Sequence, residues 1–243
     1  MPSDDSAGKP LTLRGWYLLP RNRAAVILLH GAGCNRLCVF DYAKMFNRNG
    51  YGMLLFDLRA QGDSEGDTYR AGWKDVIAAV AFLHTRSDVD QIGVWGVSLG
   101  GIAAIQGAAL TSDVSAVVAD GAIVTTLSEY PHPTALSDWF YVPYEIAYYN
   151  SWPSQTGETL TPMTRAVAQI SPRPIMLIAA DGGGTHFEFN CAQALFSAAA
   201  GPKSLWVVPG VGHGGGFSGY PQEYEQRVIG FFNKALLPSI SAF

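Results

Sequence analysis

Ile92-Gly93-Val94-Trp95-Gly96-Val97-Ser98-Leu99-Gly100-Gly101-Ile102-Ala103-Ala104 is the stretch that decides the fold. It begins as an apolar run of strand length and passes, across one serine, into residues small enough for a closely packed helix. A strand that turns sharply into a helix can hold a serine in a strained conformation with its oxygen projecting, provided the residues two before and two after carry no side chain to collide. Gly96 and Gly100 meet that condition around Ser98. The helix N-terminus adds partial positive charge beside the hydroxyl. A bare G-x-S-x-G arises by chance in a chain with 27 glycines. Its position between a buried strand and a small-residue helix is what marks this one as a nucleophile elbow.

On either side of the elbow, apolar runs of strand length alternate with amphipathic helical runs. That alternation predicts an α/β fold, a mostly parallel central sheet with helices on both faces. The spacing predicts strands around 11–19, 25–29, 51–58, 92–95, 116–119, 174–180 and 204–208, with helices around 40–48, 73–85, one beginning at 100 after the elbow, 190–200 and 221–237. At 243 residues the chain fits one domain, taken as 11–243 behind a flexible tail over 1–10. The segment from about 127 to 164 breaks the rhythm. Trp139, Phe140, Tyr141, Tyr144, Tyr148, Tyr149 and Trp152 crowd there among prolines, and a connection this long reads as a lid-like insertion. Trp139, Phe140, Tyr141 and Tyr144 are the expected substrate-binding residues, suited to apolar acyl or aryl groups.

A serine hydroxyl is a weak nucleophile at neutral pH and needs a base within hydrogen-bond reach. Among five histidines, His213 follows the last expected strand in Gly210-Val211-Gly212-His213-Gly214-Gly215-Gly216. Parallel strands put their carboxyl ends on one side, so this loop shares a rim with Ser98. His186 competes for the same rim, whereas His84 ends a helix and His132 lies in the insertion. His30, closing a strand in Leu28-Leu29-His30-Gly31-Ala32-Gly33, is read as a brace for its loop. The N–H groups of Ala32 and Leu99 would then form an oxyanion hole.

Four blocks together resemble the α/β-hydrolases, and within them the bacterial serine esterases and dienelactone-hydrolase-like members: 28–33, Phe56 to Gly66, 96–101, and Val208 to His213. The resemblance spans about 11–237. It implies a nucleophile, acid, histidine order along the chain and hydrolysis of an ester or related acyl bond through an acyl-enzyme. It also implies that Asp57 and Arg59 brace a turn near the site. The family's acid follows the next-to-last strand, where Asp181 stands slightly earlier than the pattern has it. Asp181 is the first choice for the acid, with Glu188 and Asp120 as alternatives.

Composition narrows the rest. Hydrophobic residues make up 48% and charged residues 15%, with a net charge of −4 and no basic run or face to track phosphates. Neither a nucleic-acid partner nor a membrane span is expected. The first eight residues lack the basic start and apolar middle of a secretory signal, so a cytoplasmic location is expected. Cys34, Cys38 and Cys191 make a poor zinc site and are expected to be free thiols, and no metal or cofactor is implied. The resulting expectation is a serine carboxylesterase acting on a small-molecule ester of small to medium apolar groups. Hydrolysis of a lactone, amide or carbon–carbon bond, perhydrolysis and acyl transfer would use the same residues. A hydrolase-fold protein that merely holds a ligand in its aromatic cleft is the rival from another class.

Overall fold

The structure is a computed structural model, and it describes residues 1–5, 8–66, 71–130, 139, 140, 142–144, 147, 161–182 and 186–237. Two short strands, β1 (Pro2–Asp4) and β2 (Pro10–Thr12), pair antiparallel. The central sheet contains β3 (Gly15–Leu18), β4 (Ala24–Leu29), β5 (Gly52–Phe56), β6 (Gln91–Val97), β7 (Ala116–Asp120), β8 (Ile175–Asp181) and β9 (Lys203–Pro209). Their order is β3-β5-β4-β6-β7-β8-β9. β3 runs antiparallel to β5, and every other neighbouring pair is parallel. The helices include α1 (Phe40–Arg48), α2 (Gly72–His84), α3 (Leu99–Leu110), α4 (Met163–Gln169), α5 (Phe187–Ala198) and α6 (Pro221–Leu236), with a single helical turn at Gly216–Gly219.

The apolar strands are continuous because both faces of the sheet are covered. In β4, Ala25, Ile27 and Leu29 enter one core with Val76 of α2, Ile102 of α3, Met163 of α4 and Cys191 of α5. Ala24, Val26 and Leu28 enter the other core, with Tyr42 of α1 and Tyr224 of α6. β7 and β8 divide in the same way, Val117 and Leu177 to the first layer, Val118 and Met176 to the second. A period of two along each strand therefore feeds two separate cores.

At the elbow, Ser98 has φ 56° and ψ −120°, a conformation that costs a non-glycine residue about 1–3 kcal/mol. The flanking glycines are required by close approach. A Cβ on Gly96 would stand 2.2 Å from the carbonyl oxygen of Gly100, and one on Gly100 would stand 2.3 Å from that of Leu29. α3 can begin directly beneath the turn only because both are absent.

Two expectations need correction. Residues 1–10 do not read as a tail: β1 pairs with β2, and the Met1 ammonium donates to the Leu13 carbonyl at 2.9 Å. Arg59 explains the hairpin. Its guanidinium is wholly buried on Asp75 at 2.6 Å, and its remaining N–H groups reach Asp4 O at 3.0 Å and Ser3 Oγ at 3.1 Å. A buried charge needs every donor satisfied, and β1 supplies the acceptors. The cysteines are likewise not all free. A 3₁₀ turn over Arg36–Val39 brings Cys34 and Cys38 to a Cα separation of 6.2 Å, and they form a disulfide, while Cys191 is free and buried. The end of the expected insertion meets a core helix, α4, with Met163, Ala166 and Val167 buried. Most of 127–164, including Tyr141, Tyr148, Tyr149 and Trp152, lies outside the described residues.

Candidate active site

Ser98 is held from both sides by its neighbours in the sheet. Its N–H donates to the Asp120 carbonyl at the end of β7, 2.7 Å away. On the β4 side, a Cβ built on Gly31 would lie 3.4 Å from Ser98 Cβ and 3.9 Å from Oγ, so the loop carrying Gly31, Ala32 and Gly33 passes alongside the hydroxyl. Gly33 N–H is tied to Gln61 Oε1 at 2.8 Å. Ala32 follows in the loop after β4, and Leu99 opens α3 directly after Ser98.

His213 arrives on the same rim from the loop after β9. Gly121, the residue after β7, has φ +65°, and a Cβ there would lie 2.8 Å from His213 Cε1 and 3.0 Å from Nδ1. Gly214 likewise stands against Val97: a Cβ on it would be 3.5 Å from Val97 Cγ2. The residues next to Ser98 and next to His213 are thus in contact, with the β7 terminus beneath both.

The carboxylate on His213 is Glu188. Its Oε2 lies 2.6 Å from Nδ1 of the ring, and its Oε1 accepts the N–H of Ala180 at 2.6 Å. Glu188 stands in the first turn of α5, where the helix dipole favours a negative charge, and its side chain is only 11% exposed against 50% for His213. With Nδ1 facing a carboxylate, that nitrogen carries the ring proton and Nε2 is the basic one. Asp181, the first choice from sequence, is not beside His213. It ends β8 in register with Pro209, and its half-exposed carboxylate lies 3.6 Å from Nδ1 of His186. The longer glutamate folds back from the helix start over the strand end, and so occupies the position expected of Asp181.

Asp120, the other alternative, is buried at the end of β7 and accepts the Tyr224 hydroxyl at 2.8 Å. Burial pushes its carboxyl up to about 7, with the Tyr224 hydrogen bond pulling the other way, the Glu188 charge raising it further and His213 lowering it. His30 is a brace, as its position suggested. Its Nε2 accepts the Leu58 N–H at 2.9 Å, its Nδ1 donates to Gly31 O at 2.8 Å, and burial lowers its affinity for a second proton. Asp57 braces the same region by accepting Arg36 N–H at 2.7 Å and Asp63 N–H at 2.8 Å. Its tie to the loop after β4, through Arg36, was not apparent from spacing alone. His84 pairs with Asp113 at 3.0 Å ahead of β7, at the opposite end of the sheet. His132 lies outside the described residues.

Of the expected aromatic contacts, Trp139, Phe140 and Tyr144 are strongly exposed while Val142 beside them is buried in the first core. No cluster of three or more metal-ligating side chains occurs among the described residues. No helix among them is long and apolar enough to cross a membrane.

Comparison with known proteins agrees with this architecture. The profile of the alpha/beta hydrolase family matches residues 26–227. Thiohydrolase aneE of Aspergillus aculeatus is 35% identical over 117 residues, which is 44% of this chain and 37% of the relative, so the match spans little more than a third of that protein. Among solved structures, esterase Pf2001 of Pyrococcus furiosus superposes with a TM-score of 0.73 at 22% identity, covering 97% of this chain and 91% of the other. Dienelactone hydrolase of Anabaena variabilis gives 0.64 at 19% identity, covering 92% of each. Both likenesses are likenesses of fold.

Proposed function

This chain belongs to the alpha/beta hydrolase family, and on that footing we propose that it is a serine hydrolase cleaving carboxylic esters of small to medium apolar acyl or aryl groups through an acyl-enzyme. The observation that carries the reading is the 2.6 Å contact between His213 and Glu188 on the rim that also holds the strained Ser98.

Ser98 Oγ attacks the ester carbonyl carbon while His213 Nε2 takes the hydroxyl proton. Glu188 fixes the ring with Nδ1–H toward itself and steadies the imidazolium that forms, remaining a carboxylate throughout. The negative charge on the carbonyl oxygen falls between the Ala32 and Leu99 amides, and each such donor is worth about 3 kcal/mol in the transition state. Collapse of the intermediate breaks the ester C–O bond, and His213 returns the proton to the departing alcohol. A water molecule then repeats the sequence on the acyl-Ser98 ester, releasing the acid and restoring the hydroxyl. The apolar acyl or aryl preference rests on the aromatic residues Trp139, Phe140 and Tyr144 in the sequence. The similarity to a thiohydrolase favours acyl thioesters as a second substrate class, since the same steps expel a thiol.

The test is a panel of p-nitrophenyl esters of increasing chain length, with an acyl thioester alongside. Turnover of the short esters that disappears in Ser98→Ala supports the reading. Turnover of none of them, or equal turnover in that variant, overturns it.

A further inference from the structure

The first turn of α5 carries Glu188 and needs an anchor. The chain reaches it from β8 through Gly182-Gly183-Gly184, and glycines give a connection no stiffness of their own. The side chain of His186, at the N-cap, makes no capping hydrogen bond among the described residues. The Glu188 carboxylate must nevertheless reach His213 Nδ1 and the Ala180 N–H at once, both at 2.6 Å. A helix start free to shift by about 1 Å would carry it out of hydrogen-bond range of one or both.

The anchor comes from the chain that follows β7. Tyr130 lays its ring on Phe187, the residue before Glu188, with centroids 5.4 Å apart and planes 17° from parallel. Its hydroxyl accepts Nδ2–H of Asn190, just beyond Glu188, at 3.0 Å. Phe187 and Asn190 are both buried. Tyr130 therefore grips the turn on either side of the acid in sequence, through a stacked ring and through a hydrogen bond from a buried amide. It is itself held. Glu129, next to it, accepts Thr126 Oγ1–H at 2.8 Å and, from the first turn of α4, the Thr164 N–H at 2.7 Å and Oγ1–H at 3.0 Å. The grip thus rests on α4, whose Met163, Ala166 and Val167 are buried in the core.

We propose that Tyr130 is a positioning residue for the acid: clasped to Phe187 and Asn190, it sets the first turn of α5 where Glu188 spans His213 and Ala180. It acts through Glu188 and not on the reacting atoms. The proposal deepens the serine-hydrolase reading and rests on the Glu188 contact within it, but its first test needs no substrate.

The experiment reads which ring nitrogen of His213 bears the proton, by long-range proton–nitrogen NMR on the isotope-labelled full chain at a pH where the ring is neutral. His213 is assigned by the loss of its signals in His213→Gln, and melting temperature is recorded for every variant. In wild type the proton is expected on Nδ1. Tyr130→Leu removes both the stack and the hydroxyl, and is expected to move the ring toward the tautomer mixture of Glu188→Gln. Tyr130→Phe keeps the stack and should move it less, in the same direction; it decides the matter alone if Tyr130→Leu does not fold. Ester turnover supplies a second arm. Tyr130→Leu is expected to lower kcat by about ten-fold or more in the otherwise wild-type chain, yet to stay within about two-fold when added to Glu188→Gln, where no carboxylate is left to misplace. An unmoved tautomer in a folded variant, or the same loss of kcat in both backgrounds, overturns the proposal and leaves Tyr130 a packing residue. A moved tautomer in a protein that hydrolyses no ester removes the serine-hydrolase reading and leaves the clasp standing.

Discussion

Glu188 meets His213 at 2.6 Å, while Asp181, at the strand end where an acid was expected, faces His186 at 3.6 Å instead. The two carboxylates differ in anchoring as well as position. Glu188 is additionally fixed by the Ala180 N–H, so its removal should cost far more than that of Asp181.

Glu188→Gln is therefore expected to reduce kcat/KM by roughly 10³-fold or more, because an amide disturbs the ring tautomer and withdraws the charge that stabilises the imidazolium. Asp181→Asn should stay within about two-fold of wild type, as an exposed pair contributes little. Steady-state kinetics on the two purified variants checks this, and the reverse order would return the acid to Asp181.

Ser98→Ala should abolish turnover by several orders of magnitude with the fold intact, since the hydroxyl projects from the turn and packs little. Circular dichroism melting should show a transition within a few degrees of wild type, at roughly 2–4 °C per kcal/mol for a domain of this size.

Gly100→Ala should destabilise the chain by about 2–3 kcal/mol, because the new Cβ would stand 2.3 Å from the backbone oxygen of Leu29, which has no flexible end to move aside. Chemical denaturation measures it. An unchanged midpoint would mean that the elbow can open without loss.

Asp120 makes stability depend on pH in a definite direction. Its carboxyl sits at about 7 in the fold against 3.8 normally, so the folded state holds the extra proton between those values. Stability is greatest below about pH 4 on this account and falls as pH rises toward 7. His30 acts oppositely, losing stability below its ordinary value of 6.5 because burial disfavours its charged form. The difference between Asp120→Asn and wild type isolates the first effect. The variant should gain relative to wild type from pH 4 to pH 7, as followed by urea midpoints.

Arg59→Met should cost about 3–5 kcal/mol, leaving Asp75 buried without its partner. Because the same guanidinium holds Asp4 and Ser3, faster amide exchange over residues 2–4 should accompany the loss.

Much of this arrangement was legible in the order of residues, for physical reasons that can be named. Continuous apolar runs such as Ala24–Leu29 mark strands covered on both faces, and the glycines around Ser98 mark a close approach that nothing else permits. The helix Phe40–Arg48 starts and stops where its apolar spacing and Asn49-Gly50 place it. The acid was less legible because a carboxylate is read by its distance from a strand end, and the glycine run 182–184 leaves the path from β8 to α5 undetermined by local propensity. A glutamate in the first helical turn folding back was the remaining signal. The N-terminal hairpin escaped notice because its partner, Arg59, lies 55 residues beyond Asp4 in the chain. The Cys34–Cys38 bond depends on a 3₁₀ turn that the residues between them do not announce.

The central claim is that Ser98 is a nucleophile activated by His213 and Glu188. Treatment of the intact chain with a fluorophosphonate, followed by peptide mass spectrometry, reads this directly. The account requires one stoichiometric adduct, on Ser98, formed much more slowly in His213→Gln and Glu188→Gln. An unmodified Ser98 in wild type, or labelling at the same rate in all three proteins, would contradict it.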